Sequence, residues 1–193
     1  ASVDGRGQLL AAKLRDAMSP DVPHDSRAIV ESYVYHRLLQ KGHAWDRGAP
    51  PRRDEARGRL QRALRRAGDE LERMFRRDLA SVGRRLRLSR GTFSAVVEEL
   101  FRDGVNWGRV VAFFEFGGAV CVESVGRQAS PQVENVTQWM TEYLDGPLRV
   151  WIEDNGGWVR CATSSSHLDR CPPGDTRTHF TVCTVCCAAE YHM

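Results

Sequence analysis

The thiols near the end of the chain are the side chains whose spacing comes nearest to a chemical site. Cys183 and Cys186 are separated by two residues and Cys187 follows directly, which is the spacing of half a zinc site or of a redox pair. A closed zinc site needs four ligands, and the remaining candidates stand at no standard spacing: Cys161, His167, Cys171 and His179. The sequence therefore predicts neither a bound metal nor another cofactor.

Motifs of the common enzyme classes are absent from the sequence. It contains no glycine-rich phosphate loop, no His-Glu-x-x-His pair and no Gly-x-Ser-x-Gly turn. Glu98 and Glu99 are adjacent carboxylates, but adjacent side chains on a helix point in different directions and do not form an acid–base pair. We therefore expect that the protein is not an enzyme.

A polar corner is expected where one predicted helix begins. Asn106 has the side chain of a helix N-cap, and Gly108 and Arg109 follow in the first turn. A cation in the first turn opposes the helix dipole, so a negative partner must compensate Arg109. That partner is either an intramolecular carboxylate, Glu99 or Asp103, or a carboxylate on an incoming segment. The spacing alone favours neither alternative.

Arginine is concentrated in one stretch of the chain. Of the 28 basic residues only Lys13 and Lys41 are lysines, and residues 52–90 contain fourteen arginines against six acids. Clustered positive charge of this kind can bind phosphates, which makes a nucleic-acid-binding helical protein an alternative function. Because no aromatic platform accompanies the arginines, a solvated helix face without a nucleic-acid partner is the favoured interpretation.

Length and composition indicate one ordinary globular domain. The chain has 193 residues, of which 41% are hydrophobic and 27% charged, with a formal net charge of +3. The longest apolar run before residue 159, at residues 110–114, is far shorter than the ~18 residues that a membrane-spanning helix needs. The N-terminus lacks the basic flank and apolar stretch of a secretory signal, so a cytoplasmic location is expected.

Apolar residues at helical spacing predict an all-α fold. The predicted helices begin at Asp25 or Ser26, Arg59, Ser89, Trp107, Pro131 and Leu148, and they end near Gly42, Leu88, Gly104, Val125, Gly146 and Glu153. The stretch 46–58, with two prolines and two glycines, is predicted to be a loop. The helix from Trp107 is apolar on nearly every face, so we expect it at the centre of the bundle, in a buried hairpin with the helix that follows.

Four segments within residues 25–158 resemble the four homology motifs of the Bcl-2 family. The segment 96–118, which begins VVEELFRDGVNWGR, looks like the first motif, and 151–158, WIEDNGGW, resembles the second. The segment 60–75 contains LRRAGDEL and is similar to the third motif, and residues 25–45 resemble the fourth. The resemblance implies a Bcl-2-like helical bundle with buried central helices and a surface hydrophobic groove.

The resemblance also implies a function. Pro-survival members of the family bind the amphipathic death helix of pro-apoptotic relatives in that groove and restrain permeabilisation of the mitochondrial outer membrane. In this chain Arg109 would pair with an Asp of the partner helix, and Asn106 and Gly108 would line the same polar corner. The apolar floor of the groove would be formed by Leu71, Phe75, Leu79, Val82, Val96, Leu100 and Ala112. A pro-apoptotic, pore-forming relative shares the fold and is the alternative function.

The chain departs from the family pattern in its loop and at its C-terminus. The loop 46–58 is short and contains no Ser or Thr. After Trp158 the family continues with an amphipathic helix and a hydrophobic membrane anchor, whereas residues 159–193 resemble the product of reading through into an intron. We therefore expect a weakly ordered lead-in at 1–24, a Bcl-2-like domain at 25–158, and a divergent cysteine-containing tail. Without the anchor, contact with the mitochondrial outer membrane or endoplasmic reticulum is expected to be weak or peripheral.

Overall fold

A computed structural model describes residues 25–45, 47, 55–85 and 88–158, with the side chains of all of these except 55–56 and 74–85. Within these ranges the chain forms six α-helices and no strand: α1 (Ser26–Gln40), α2 (Glu55–Arg85), α3 (Arg90–Phe101), α4 (Trp107–Gly126), α5 (Pro131–Asp145) and α6 (Arg149–Asp154). The predicted all-α fold is confirmed. The predicted lead-in and cysteine-containing tail lie outside the described residues.

The ends of helix α1 follow from the residues that flank it. Asp25 Oδ1 accepts a hydrogen bond from the Ala28 amide at 3.0 Å, as the side chain of an N-cap does. After Gln40 the chain leaves the helix, and Gly42 has a φ of +76°, a conformation that favours glycine. Both ends agree with the sequence prediction.

Helix α2 begins earlier than the sequence pattern indicates. Residues 55–58 were expected in a loop, but they form the first turn of α2. This turn has no long apolar side chain to mark it, although an acid such as Glu55 suits the positive end of a helix dipole. Arg57 of the same turn is buried and lies 3.6 Å from Asp25. An ion pair between helix ends therefore holds this turn, and apolar periodicity does not reveal it.

Helix α4 is the centre of the bundle, as predicted. It packs against α1, α2, α3 and α5. The four consecutive residues 110–113 point to different sides of the helix, and each is at most 5% exposed. The ring of Phe114 lies 5.3 Å from that of Tyr33 on α1. A helix that is apolar on nearly every side is stable only when other helices cover it.

Helix α5 follows α4 after the turn 127–130 and packs against α1 and α4. Pro131 stands at its first turn, where the missing N–H costs no hydrogen bond. A Cβ on Gly117 of α4 would lie 2.2 Å from Sδ of the buried Met140, so glycine lets the two helices approach closely. The predicted hairpin forms, and α5 keeps a polar face in solvent, for example at Gln138.

Candidate functional site

The turn between α3 and α4 forms the polar corner that was predicted around Arg109. Asn106 Oδ1 accepts a hydrogen bond from the Arg109 amide at 2.8 Å and thereby caps α4. The carbonyl oxygen of Gly104, a residue with a φ of +102°, accepts a hydrogen bond from Arg109 Nη1 at 2.6 Å. A Cβ on Gly108 would lie 3.3 Å from Asn106 Oδ1, so the glycine leaves room for the cap. The structure thus brings Asn106, Gly108 and Arg109 together.

Asp103 is the negative neighbour of Arg109. Its Oδ2 lies 3.6 Å from Arg109 Nη2, which is too long for a hydrogen bond but close enough for electrostatic attraction. Glu99 was the other intramolecular candidate, and it pairs with Arg102 at 2.6 Å instead. Of the two carboxylates that the spacing left open, the structure therefore places Asp103 beside Arg109.

The Arg109 guanidinium keeps unused hydrogen-bonding capacity. The side chain is 15% exposed, and its Nε is buried without a hydrogen-bond partner in the part of the chain that the structure describes. A guanidinium has five N–H donors in a planar fork that matches a carboxylate. Nε and Nη2 lie on the same edge of that fork, and Nη1 on the other edge is already bonded to Gly104. One edge is therefore suited to a further carboxylate.

Three tryptophans connect the start of α4 with α6. The ring of Trp107 lies 5.0 Å from that of Trp151 and 6.2 Å from that of Trp158. Trp158 also lies edge-on to Phe114, at 6.1 Å. Such tilted and edge-to-face pairs are the favoured arrangements of aromatic rings. The segments predicted as the first and second motifs are therefore neighbours in space.

The apolar residues predicted for the floor of a groove are buried wherever their side chains are described. Leu71 and Ala112 are 5% exposed, Leu100 is 2% exposed and Val96 is 0% exposed. All four belong to the hydrophobic core. The other three predicted residues lie on α2 with side chains outside the described ones: Phe75, Leu79 and Val82. Their place in a groove stays a prediction.

A buried charged cluster, which was not predicted, joins α1, α2 and α4. Glu115 of α4 is fully buried and accepts hydrogen bonds from Tyr33 Oη at 2.6 Å and from Arg37 Nη2 at 2.5 Å. Arg37 also pairs with Glu72 at 2.9 Å and with Asp69 at 3.3 Å, both on α2. We refer to these five residues as the Glu115 cluster. The sequence contained one signal of this cluster, the carboxylate of Glu115 within an otherwise apolar stretch of α4. Buried charges need partners, so such a carboxylate indicates compensating groups on the neighbouring helices.

Burial and charge shift the protonation of the Glu115 cluster. Burial raises the pKa of Glu115 to about 7, although Arg37 and Tyr33 act to lower it. Burial and the Glu115 charge raise the pKa of Tyr33, so the phenol remains a donor. For Glu72, burial acts to raise the pKa, but hydrogen bonds from Lys41 and Arg37 outweigh it and lower the pKa. Glu115 therefore titrates near neutral pH.

Gly68 and Asp69, from the segment predicted as the third motif, meet this cluster. A Cβ on Gly68 would lie 1.9 Å from Tyr33 Oη and 3.1 Å from Glu115 Oε2. Asp69 Oδ1 accepts hydrogen bonds from Gln40 Nε2 at 3.1 Å and from Arg37 Nη1 at 3.3 Å. Glycine at this position is thus required by the close approach of α1, and the aspartate helps to hold α1 in place.

Two further properties concern membranes and metals. Among the described helices, none combines the length and the apolar character needed to cross a bilayer. Nor does any group of three His, Cys, Asp or Glu residues in the described ranges have the geometry to hold a metal ion. Cys121 is the one cysteine in these ranges, and burial raises its pKa. The possible half site at Cys183, Cys186 and Cys187 lies outside the described residues.

The amino-acid sequence of this helical bundle matches a known class of protein. A family model described as apoptosis regulator proteins of the Bcl-2 family matches residues 64–158. A second model, Bcl-2 homology region 4, matches residues 24–47. The fold is therefore that of an apoptosis regulator, and the chain belongs to the Bcl-2 family.

Individual relatives agree with this assignment. The chain is 42% identical over 184 residues to apoptosis regulator Bcl-2 of Canis lupus familiaris, a match that covers 70% of this chain and 78% of that protein. The protein of the same name in Gallus gallus is 42% identical over 181 residues, with the same coverage. Bcl-2-like protein 1 of Homo sapiens is 50% identical over 103 residues, which are 51% of this chain and 44% of that relative. The predicted resemblance to the family is confirmed.

Proposed function

We propose that this chain is a pro-survival regulator that acts by binding and not by catalysis. It binds the amphipathic death helix of pro-apoptotic Bcl-2 family proteins in a surface groove and so restrains permeabilisation of the mitochondrial outer membrane. The observation that carries the proposal is the unbonded Nε of the Arg109 guanidinium, beside the cap of α4. Similarity to proteins named apoptosis regulator Bcl-2 supports pro-survival activity over pore formation.

The partner contributes a carboxylate to Arg109. Nη1 is occupied by Gly104, so Nε and Nη2 form the edge to which a carboxylate binds with two parallel hydrogen bonds. Because Nε is buried, first contact is made at Nη2 and the second bond forms as the corner opens. Charge-assisted bonds of this kind fix the register of a helix in a groove, because they depend on both distance and orientation.

Apolar contact with the partner requires a movement. Leu71, Val96, Leu100 and Ala112 are at most 5% exposed, so whatever covers them must shift before a partner helix touches them. Binding is therefore expected to be accompanied by rearrangement, as in other complexes that order or displace a segment. Hydrogen exchange at the amides of α2 and α3, measured with and without a death-helix peptide, reports this movement.

The decisive experiment is a titration of the Arg109→Ala variant with a labelled death-helix peptide from a pro-apoptotic family member. Removal of one partner of an interfacial charge pair typically costs ~2 to 5 kcal/mol, so we expect fluorescence anisotropy to show at least about tenfold weaker binding. Arg127→Ala is the matched control, since Arg127 is an exposed arginine at the other end of α4, far from Arg109. Equal affinity of Arg109→Ala and the unchanged protein would overturn the role of Arg109.

We further propose that residues 25–158 form the binding unit and that the protein acts in the cytoplasm, with peripheral contact at the mitochondrial outer membrane or endoplasmic reticulum. The two family-model matches fall within or beside these residues, which supports the boundaries. Removal of residues 159–193 is expected to leave peptide affinity unchanged. A large loss of affinity in that variant, with its helical circular dichroism retained, would show that the unit extends further.

A further inference from the structure

Asp103 stands beside Nη2 of Arg109, one of the two nitrogens that the partner carboxylate is proposed to use. Its Oδ2 lies 3.6 Å from Nη2, and the other of the two nitrogens is the unpartnered Nε. We propose that Asp103 is a tethered competitor of the partner's carboxylate for Arg109, and that it lowers the affinity of the corner for death helices. This inference rests on the proposed function and names a residue that regulates the same site.

The position of Asp103 allows it to be displaced. Its side chain is 58% exposed, and no hydrogen bond to its carboxylate occurs in the described part of the chain. Electrostatic attraction alone holds it, to Arg109 at 3.6 Å and to Arg102 Nε at 3.7 Å. Exposed pairs of this kind are weak because water and salt screen them. A partner carboxylate that makes two hydrogen bonds therefore displaces Asp103. The partner nevertheless binds with lower affinity than it would if Asp103 carried no charge.

Arg102 provides a place for the displaced carboxylate. It already pairs with Glu99 at 2.6 Å and lies within reach of Asp103 on its other side. When a partner occupies Arg109, Asp103 keeps Arg102 as its counterion and remains close to the corner. Its charge then still repels the bound carboxylate, since like charges at short range destabilise each other. Both the competition and this repulsion act against acidic partners.

The test compares Asp103→Asn with the unchanged protein in titrations of two labelled peptides. One is the death-helix peptide of a pro-apoptotic family member, and the other is the same peptide with its anchoring Asp replaced by Asn. We expect Asp103→Asn to bind the Asp peptide about threefold more tightly, within the range known for exposed charge pairs. Its affinity for the Asn peptide should not change, because no carboxylate then competes for Arg109.

A matched control removes the same charge at a distance. The control variant is Glu123→Gln. Glu123 lies on α4 itself, about 21 Å along the helix axis from Arg109. This distance is well beyond the screening length of ~8 Å at physiological salt. We expect the variant to leave both affinities unchanged. If Asp103→Asn has no effect, if it tightens both peptides equally, or if Glu123→Gln has the same effect, the inference is overturned.

The same titrations separate this inference from the proposed function. If the unchanged protein binds neither peptide, or binds both equally, the proposed pairing of Arg109 with a carboxylate is wrong. If it prefers the Asp peptide but Asp103→Asn does not alter that preference, only the competition by Asp103 is wrong. In the Arg109→Ala background, Asp103→Asn is expected to have a smaller effect on the Asp peptide, because the competition for Arg109 is gone and only the repulsion between the two carboxylates remains. An undiminished effect in that background would overturn the competition.

Discussion

The carboxylate of Glu115 lies 2.5 Å from the guanidinium of Arg37, although the two residues are 78 positions apart in the chain. Both side chains are almost completely buried, so each charge depends on the other for compensation. Buried pairs of this kind contribute little compared with a well-packed apolar pair, but loss of one partner leaves an uncompensated charge. The attachment of α1 to α2 and α4 therefore includes a charged contact within the core.

Replacement of Arg37 by Met is expected to destabilise the protein. It removes the charge that compensates Glu115 and Glu72 while keeping an unbranched apolar side chain, and breaking a buried pair typically costs ~3 to 5 kcal/mol. Urea denaturation measures the loss. Arg127→Ala, which removes an exposed i,i+4 pair with Glu123, is the control and should cost at most ~0.5 kcal/mol. The double variant Arg37→Met with Glu115→Gln should recover part of the loss, and strict additivity would contradict this account.

Gly68→Ala is expected to destabilise the protein through a clash with α1. The new Cβ would lie 1.9 Å from Tyr33 Oη, and overpacking of a core typically costs ~1 to 3 kcal/mol. Tyr33→Phe removes that oxygen but also the hydrogen bond to Glu115, so alone it should also destabilise. Thermal unfolding of the double variant should show less destabilisation than the sum of the single changes. If the double variant is destabilised by as much as that sum, or by more, the clash between the new Cβ and Tyr33 Oη is contradicted.

Stability is expected to fall as the pH rises through neutrality because of Glu115. Its pKa is about 7 in the folded chain against 4.5 for an ordinary glutamate, so the folded state binds this proton more tightly than the unfolded state. The stability that the folded state gains from binding this proton is complete below pH 4.5 and is lost as the pH rises through about 7. The lowered pKa of Glu72 has the opposite effect, with stability lost in acid.

The comparison with Glu115→Gln isolates this effect, since Glu72 and the other charged groups are common to both proteins. The free energy of unfolding of the unchanged protein, minus that of the variant, should decrease between pH 4.5 and about 7 and then level off. Urea denaturation at a series of pH values provides both quantities. A difference that rises over this interval would mean that Glu115 is ionised more readily in the folded protein.

Gly104→Ala is expected to weaken both stability and peptide binding. Gly104 has a φ of +102°, which strains any residue with a Cβ, at a typical cost of ~1 to 3 kcal/mol. Relief of that strain moves the carbonyl that orients Arg109, so affinity for a death-helix peptide should fall as well. Gly126→Ala is the control, because a Cβ there meets nothing within 4 Å and alanine favours a helix. Unaltered affinity in Gly104→Ala would show that this carbonyl does not position Arg109.

Features set by neighbouring residues could be predicted from the sequence. The cap at Asn106 was predicted, and that of α1 was predicted to be Asp25 or Ser26, of which the structure shows Asp25. A cap can be predicted in this way because it depends on residues within one turn. The central place of α4 followed from its lack of a polar face. The first turn of α2 was wrongly placed in a loop, because its anchor is a pair between Arg57 and Asp25, the N-cap of α1. Periodicity within one helix contains no information about such a pair.

The sequence by itself determined the helices, their order, the family resemblance and the polar corner at Arg109, because each follows from residues close together in the chain. Only the tertiary structure decided that Asp103 and not Glu99 lies beside Arg109. It also decided which distant groups compensate Glu115 and that Leu71 is buried. These outcomes depend on how far each helix is rotated and shifted against its neighbours, and that is set by the packing of the whole core at once.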